Sequence, residues 1–184
     1  MRKKQPAKKE KVKQEQPKPV ILPTRNILLF AVLVLLGNVS LLICSKTIML
    51  YREWMAWFLA GLISFSGLEV VQNGVFLTIA GERWVMTPGC TAITAMIVFV
   101  AFVLTYPSSV KAKVIALLAG LPFLLLANFT RLFTLAWAVE WSARYAHWAH
   151  DYAWQVVFLM LIAVMWLLWI ETVVKREEKA VLSA

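Results

Sequence analysis

The sequence predicts an all-α integral membrane protein of about four transmembrane helices, with interfacial helices and a small extracytoplasmic β-hairpin. Hydrophobic residues fill 61% of its 184 positions and charged residues only 16%, a balance too apolar for a soluble domain of this size. Four uncharged runs approach the roughly 20 residues a helix needs to cross a hydrocarbon core. Lysines and arginines lie at alternate ends of those runs, as the positive-inside tendency requires. Most of the nine tryptophans stand near the ends of apolar runs, where amphipathic rings favour the membrane interface.

Taken in order, residues 1–26 hold nine Lys or Arg against only Glu10 and Glu15, so +7 of the overall +9 sits there. Residues 1–25 are expected to form a disordered cytoplasmic tail, because their Lys, Gln and Pro content cannot bury enough apolar surface to offset the entropy of ordering. The tail reads first as a topology signal, with contact to anionic lipid as a second use. Nucleic-acid binding is not expected, since the tail lacks interleaved aromatics and no soluble binding domain follows. Asn26 to Ser45 is an uncharged run of 20 residues and gives the first span, over 26–45. No small-x-small cleavage site follows closely, so it reads as an anchor rather than a signal peptide.

Trp54 to Leu68, 15 uncharged residues rich in Trp54, Trp57 and Phe58, suits an interfacial helix better than a span. Over 69–87 the character changes. Val70, Val71, Val75, Phe76, Thr78 and Ile79 favour strand, and turn signals stand at Asn73-Gly74 and Gly81-Glu82. A small hairpin or meander is predicted, outside the hydrocarbon because its edges would be unsatisfied in lipid.

The second span is expected over 91–106, closed by Pro107-Ser108-Ser109 ahead of Lys111 and Lys113, which mark a cytoplasmic loop. The third, over 114–130, returns outward. Leu132 to Ala149 mixes Trp137, Glu140, Trp141, Arg144 and His147 and reads as interfacial. Tyr152 to Ile170, uncharged over 19 residues, gives the last span (152–170), with Lys175-Arg176 inside. Residues 26–174 thus form the membrane domain and 175–184 a cytoplasmic tail. Both termini are expected in the cytoplasm of a multi-pass inner or plasma membrane protein, with Cys90, Arg131 and His150 on the outer side.

The cysteine count alone, Cys44 and Cys90, is neither a disulfide framework nor a metal signature, and a Cys44–Cys90 bridge stays open at this point. Cys90 has the more defined setting. It follows Pro88-Gly89 at the N-terminus of an apolar helix, where the helix dipole favours thiolate. Acyl transfer by cysteine needs that thiolate, a proton donor for the leaving amine and a donor for the oxyanion. His150 titrates near neutrality and fits either proton role. Arg131 offers a permanently charged fork of donors, and Asn128 lies three residues before it on the same helical face, placed to orient Arg131 or a substrate backbone. Each also has a purely structural use: Cys44 as packing, Arg131 as a snorkelling cation, His147 and His150 as interfacial residues. Asn128-Phe129-Thr130 also matches a glycosylation tripeptide.

Three segments carry a resemblance. Pro88-Gly89-Cys90-Thr91, Ala127-Asn128-Phe129-Thr130-Arg131-Leu132 and Trp148-Ala149-His150-Asp151-Tyr152-Ala153-Trp154-Gln155 resemble, in order and spacing, the cysteine, Asn-x-x-Arg and histidine motifs of the exosortase and archaeosortase membrane cysteine transpeptidases, closest to the small exosortase H type. The resemblance implies that Cys90 is the nucleophile, Arg131 the stabiliser of oxyanion or thiolate, and His150 the proton donor and acceptor. Asn128 and Trp154 are the candidate substrate-orienting side chains. It implies secreted protein substrates bearing a C-terminal sorting tail, cleaved and passed to an acceptor, with no metal or organic cofactor. Family members commonly carry Gly two residues after the cysteine; here Ala92 stands there, and its methyl either crowds the thiol or rigidifies the helix. The rival reading is a non-catalytic membrane scaffold or escort that binds a partner through its helices.

Overall fold

A computed structural model describes residues 24–176. Most of the expected N-terminal basic tail and of the expected C-terminal tail lies outside these residues. The chain runs α1 (Thr24–Ile43), α2 (Ser45–Phe65), a three-stranded antiparallel meander β1 (Val70–Asn73), β2 (Phe76–Ile79) and β3 (Glu82–Val85), a 3-10 turn (Pro88–Cys90), α3 (Ile93–Thr105), α4 (Val110–Trp141), α5 (Ala143–Trp148), a π-helical turn (Ala149–Ala153), and α6 (Trp154–Trp169) continuing into a second π turn (Ile170–Val174).

Among the described residues, three helices are long and apolar enough to cross a membrane: α1, α4, and α6 with its π extension. The fourth expected span is α3, apolar but only 13 residues long, or about 20 Å at the α-helical rise, against a core of roughly 30 Å. The expected interfacial segment 54–68 is most of α2, which begins further back and includes Lys46, Arg52 and Glu53. It turns Met55, Ala56, Leu59 and Ile63 inward.

The largest departure from expectation is α4. The sequence reading closes this helix near Thr130 and lays 132–149 in the interface, whereas one helix of 32 residues runs to Trp141. At about 1.5 Å per residue it is about 48 Å long. The reason is its inner face: Asn128, Phe129, Leu132, Leu135, Ala136 and Val139 are all buried, continuing the helical period past the arginine that reads as an end.

Two cores share α4. One joins α3, the first half of α4 and α6, with Phe99, Val103, Leu124, Phe158 and Ile162 buried. Its far end is pinned by the stacked rings of Phe102 and Trp166, 4.0 Å apart, and by Trp169 Nε1 donating to the Ala112 carbonyl oxygen at 2.9 Å. At Gly120 helix packing is so close that a Cβ would lie 2.3 Å from Phe99 Cζ, the small-residue approach common between membrane helices.

The second core joins α2, the sheet and the second half of α4 through Met55, Leu59, Ile63, Leu77, Ile79, Leu132 and Ala136. Alternation along β2 places Leu77 and Ile79 inward, as a half-buried strand should. Ala80 and Gly81 both have positive φ, which fits the two-residue turn that joins twisted antiparallel strands. This β element caps one end of the helical layer. Cys90 belongs to the cap core and Ala92, two residues on, to the helical core, so the nucleophile candidate lies where the two meet.

Candidate active site

The turn bearing Cys90 is held through its backbone from two helices. Arg52 Nε of α2 donates to the Met86 carbonyl oxygen, and Tyr51 Oη of the same helix donates to the Thr91 carbonyl oxygen at 3.3 Å. From α4, Asn128 Nδ2 donates to the carbonyl oxygen of Cys90 itself at 2.8 Å. Within the turn, Cys90 N donates to the Thr87 carbonyl oxygen at 2.9 Å, and Met86 N ties the preceding residues to Val75 O at 2.8 Å.

The thiol so placed meets two side chains. Cys90 Sγ lies 3.3 Å from His150 Nε2 and 3.2 Å from Thr87 Oγ1, distances within hydrogen-bond reach for sulfur. Burial of the thiol pushes its pKa up. The hydrogen bonds from His150 and Thr87, with the charge of the imidazole, outweigh that and bring it below the ordinary thiol value. Such a pair can supply a nucleophile and, beside it, a group that moves a proton.

His150 stands in the π turn, a wider coil that recurs at functional sites. The Trp84 ring from β3 packs edge-on to the imidazole, centroids 5.6 Å apart, and Arg131 Nη2 donates to the His150 carbonyl oxygen at 3.2 Å. Arg131 is only 6% exposed, and its guanidinium lies 5.8 Å over the Phe158 ring, an arrangement that attracts a cation to an aromatic face. A surface-snorkelling arginine would not be so enclosed.

Cys90, Asn128, Arg131 and His150 are therefore neighbours. Asn128 engages neither Arg131 nor open space in its Nδ2 bond but the backbone of Cys90, and it is fully buried. That burial removes it as a glycosylation acceptor. Trp154 opens α6 and is partly exposed. The Cys44–Cys90 bridge does not form: both are free thiols, Cys44 exposed and Cys90 buried. Among the described residues no cluster of His, Cys, Asp and Glu could hold a metal.

Thr87, Trp84, Tyr51 and Arg52 escaped the sequence reading. For Thr87 a signal existed: a hydroxyl ahead of Pro-Gly and three residues before a cysteine can fold back on the thiol in a single tight turn. Tyr51 and Arg52 are distant in sequence, and nothing local marks them.

A thiol and an imidazole held together where an apolar helical layer meets a β cap define an integral membrane protein with a candidate thiol centre. Residues 22–168 match the transmembrane exosortase family, and the chain belongs to that family. The membership suggests a membrane transpeptidase. No curated protein and no solved structure matches the chain.

Proposed function

We propose that the protein is a membrane-embedded cysteine transpeptidase that cleaves the C-terminal sorting tails of secreted proteins and passes the new C-terminus to an acceptor through a thioester on Cys90. The observation that carries this reading is the 3.3 Å approach of Cys90 Sγ to His150 Nε2. In the proposed sequence, Sγ attacks the scissile carbonyl, a C–S bond forms and the carbonyl electron pair moves to oxygen. Collapse breaks the C–N bond as His150 gives its proton to the departing amine. His150 then takes a proton from the acceptor, which displaces the sulfur.

Asn128 holds the attacking residue by its carbonyl, and Thr87 hydrogen-bonds the sulfur. Arg131 supports His150 through that residue's carbonyl and supplies fixed positive charge beside the centre. A groove of about 350 Å³, bordered by Pro88, Gly89, Ala92, Arg131, Gln155 and Ile162, runs between α3 and α6 from the turn into the helical layer. Such a groove suits the membrane segment of a sorting tail. In this reading the centre faces the outer side of the plasma or inner membrane, with both termini cytoplasmic and the basic tail beside anionic lipid.

The test is intact-mass analysis of the purified protein after incubation with membrane-embedded sorting-tail peptides. A hydroxylamine-labile adduct on wild type and none on Cys90→Ala is expected. No adduct and no cleavage with the full set of resident tails would leave the scaffold or escort reading in its place.

A further inference from the structure

On the cap side of the turn lies a second, smaller space. A cavity of about 30 Å³ is walled by Leu77 and Ile79 of β2 and by Leu132, Leu135 and Ala136 of α4, and both Cys90 and His150 border it. All five of these hydrophobic side chains are buried. Volume alone admits a water or two, but a water needs two to four polar partners, and apolar cavities stay dry. The thiol and the imidazole are already engaged with each other. A dry void against a nucleophile forfeits contacts on every wall unless something apolar enters during the reaction.

Resting on the Cys90 transfer reading, we infer that this cavity is the acyl-side specificity pocket, and that it takes a small aliphatic side chain from the residue whose carbonyl is attacked. The geometry of a thioester selects that residue. Its carbonyl carbon is bonded to Sγ and its side chain hangs from the next carbon, so it is the substrate side chain nearest to a cavity bordered by the sulfur. Size selects the class. A cavity of about 150 Å³ takes the six carbons of benzene, so one of about 30 Å³ takes a methyl group and excludes a ring. Chemistry excludes charge, since a carboxylate entering these leucines and isoleucines would be buried without a partner.

The test needs no knowledge of the sorting motif. Full-length protein in lipid nanodiscs is treated with p-nitrophenyl esters of acetyl-Gly, acetyl-Ala, acetyl-Val, acetyl-Phe and acetyl-Asp. Sγ attacks the ester carbonyl, a thioester forms and p-nitrophenolate leaves. Peptide-mapped mass spectrometry follows Cys90, with exposed Cys44 in the same molecule as the reference for each ester's intrinsic reactivity and partitioning.

The Cys90 to Cys44 rate ratio is expected to be at least tenfold higher for Ala than for Phe and Asp, the scale on which apolar pockets discriminate. Ala136→Leu, which fills the cavity, should abolish the advantage of Ala over Gly. Leu135→Ala, which enlarges it by three carbons, should raise the Val ratio about tenfold and serves as the second variant should the first fail to fold. Ratios that are flat across the five esters, or that favour Phe or Asp, overturn the pocket. If the selectivity appears while no sorting-tail peptide acylates Cys90, the pocket stands and the transfer reading falls.

Discussion

Asn128 Nδ2 donates to the carbonyl oxygen of Cys90 at 2.8 Å, so the long helix α4 grips the nucleophile candidate by its backbone and leaves the thiol free to react. Asn128 is completely buried, and its Oδ1 has no hydrogen-bond partner among the described residues. The amide is therefore retained at a desolvation cost on one atom while the other atom fixes the turn. Substituting Asn128→Ala should leave the Cys90 carbonyl unpaired and cost about 1–3 kcal/mol of stability. Because a displacement of about 1 Å at a reacting atom costs on the order of 100-fold in rate, acyl-enzyme formation should fall by about that factor. Asn128→Asp, similar in shape but unable to donate, should be no better. Thermal unfolding together with the acylation rate checks both.

The lowered Cys90 pKa gives a pH dependence with a definite sign. Thiolate, and with it the rate of iodoacetamide alkylation, should rise through a midpoint below that of an ordinary thiol. His150→Gln removes the imidazole charge and Thr87→Val removes one hydrogen bond, so each should move that midpoint upward, His150→Gln further. Burial, the opposing influence, then has less to offset it. As a linkage statement, a group whose folded pKa is depressed contributes stability above its unfolded pKa and loses it as pH falls through the folded value. The wild type should therefore gain stability over His150→Gln at alkaline pH and lose that gain as the thiolate is protonated. A midpoint unmoved in both variants would contradict the assigned contacts.

Ala92 gives a prediction about backbone strain. Its φ is 56°, in the left-handed region that glycine enters freely and that costs an L-residue roughly 1–2 kcal/mol. Its methyl is nonetheless buried in the helical core, and a buried methyl contributes about 0.8 kcal/mol. Ala92→Gly should therefore change stability by less than about 1 kcal/mol, since the two effects oppose. Ala92→Val, β-branched at the same φ, should destabilise by several times that and slow Cys90 alkylation by displacing the turn. Denaturant midpoints of the three proteins test the ordering.

Much of this centre can be read without coordinates because its chemistry stands in contrast to its surroundings. Cys90, Asn128, Arg131 and His150 are reactive or polar groups bounding apolar runs, and polar residues there are expensive to keep. The β segment is legible for a similar reason, its β-branched run and glycine turns breaking the helical composition, and of the expected hairpin or meander it is the meander that forms. Hydropathy misplaced the end of α4. It treats Arg131 as a surface cation, whereas the fold buries it between His150 and Phe158, and a charge whose cost is offset by tertiary contacts looks like a boundary in one dimension. Tyr51, Arg52 and Trp84 were illegible because their value lies in carbonyls and rings brought close by packing α2 and the sheet over the turn, which no local pattern encodes.

Arg131 poses the last question, whether its charge acts on the reacting atoms or through His150. Its Nη2 donates to the His150 carbonyl oxygen at 3.2 Å, which places the guanidinium as a brace for the π turn that presents the imidazole. Lysine keeps the charge but loses the planar fork and the ring contact. If bracing is its main task, Arg131→Lys should loosen His150, raise the alkylation midpoint of Cys90 and lower acylation by about 10- to 100-fold, as positioning losses do. If it acts chiefly on the oxyanion, the alkylation midpoint should stay at the wild-type value while acylation falls by about 100- to 1,000-fold, the loss typical of an oxyanion donor. Measuring both quantities on one preparation separates the two roles, because thiolate formation precedes the oxyanion and Arg131→Lys keeps the charge, so a moved midpoint reports a displaced imidazole. The bond to the His150 carbonyl favours the first outcome.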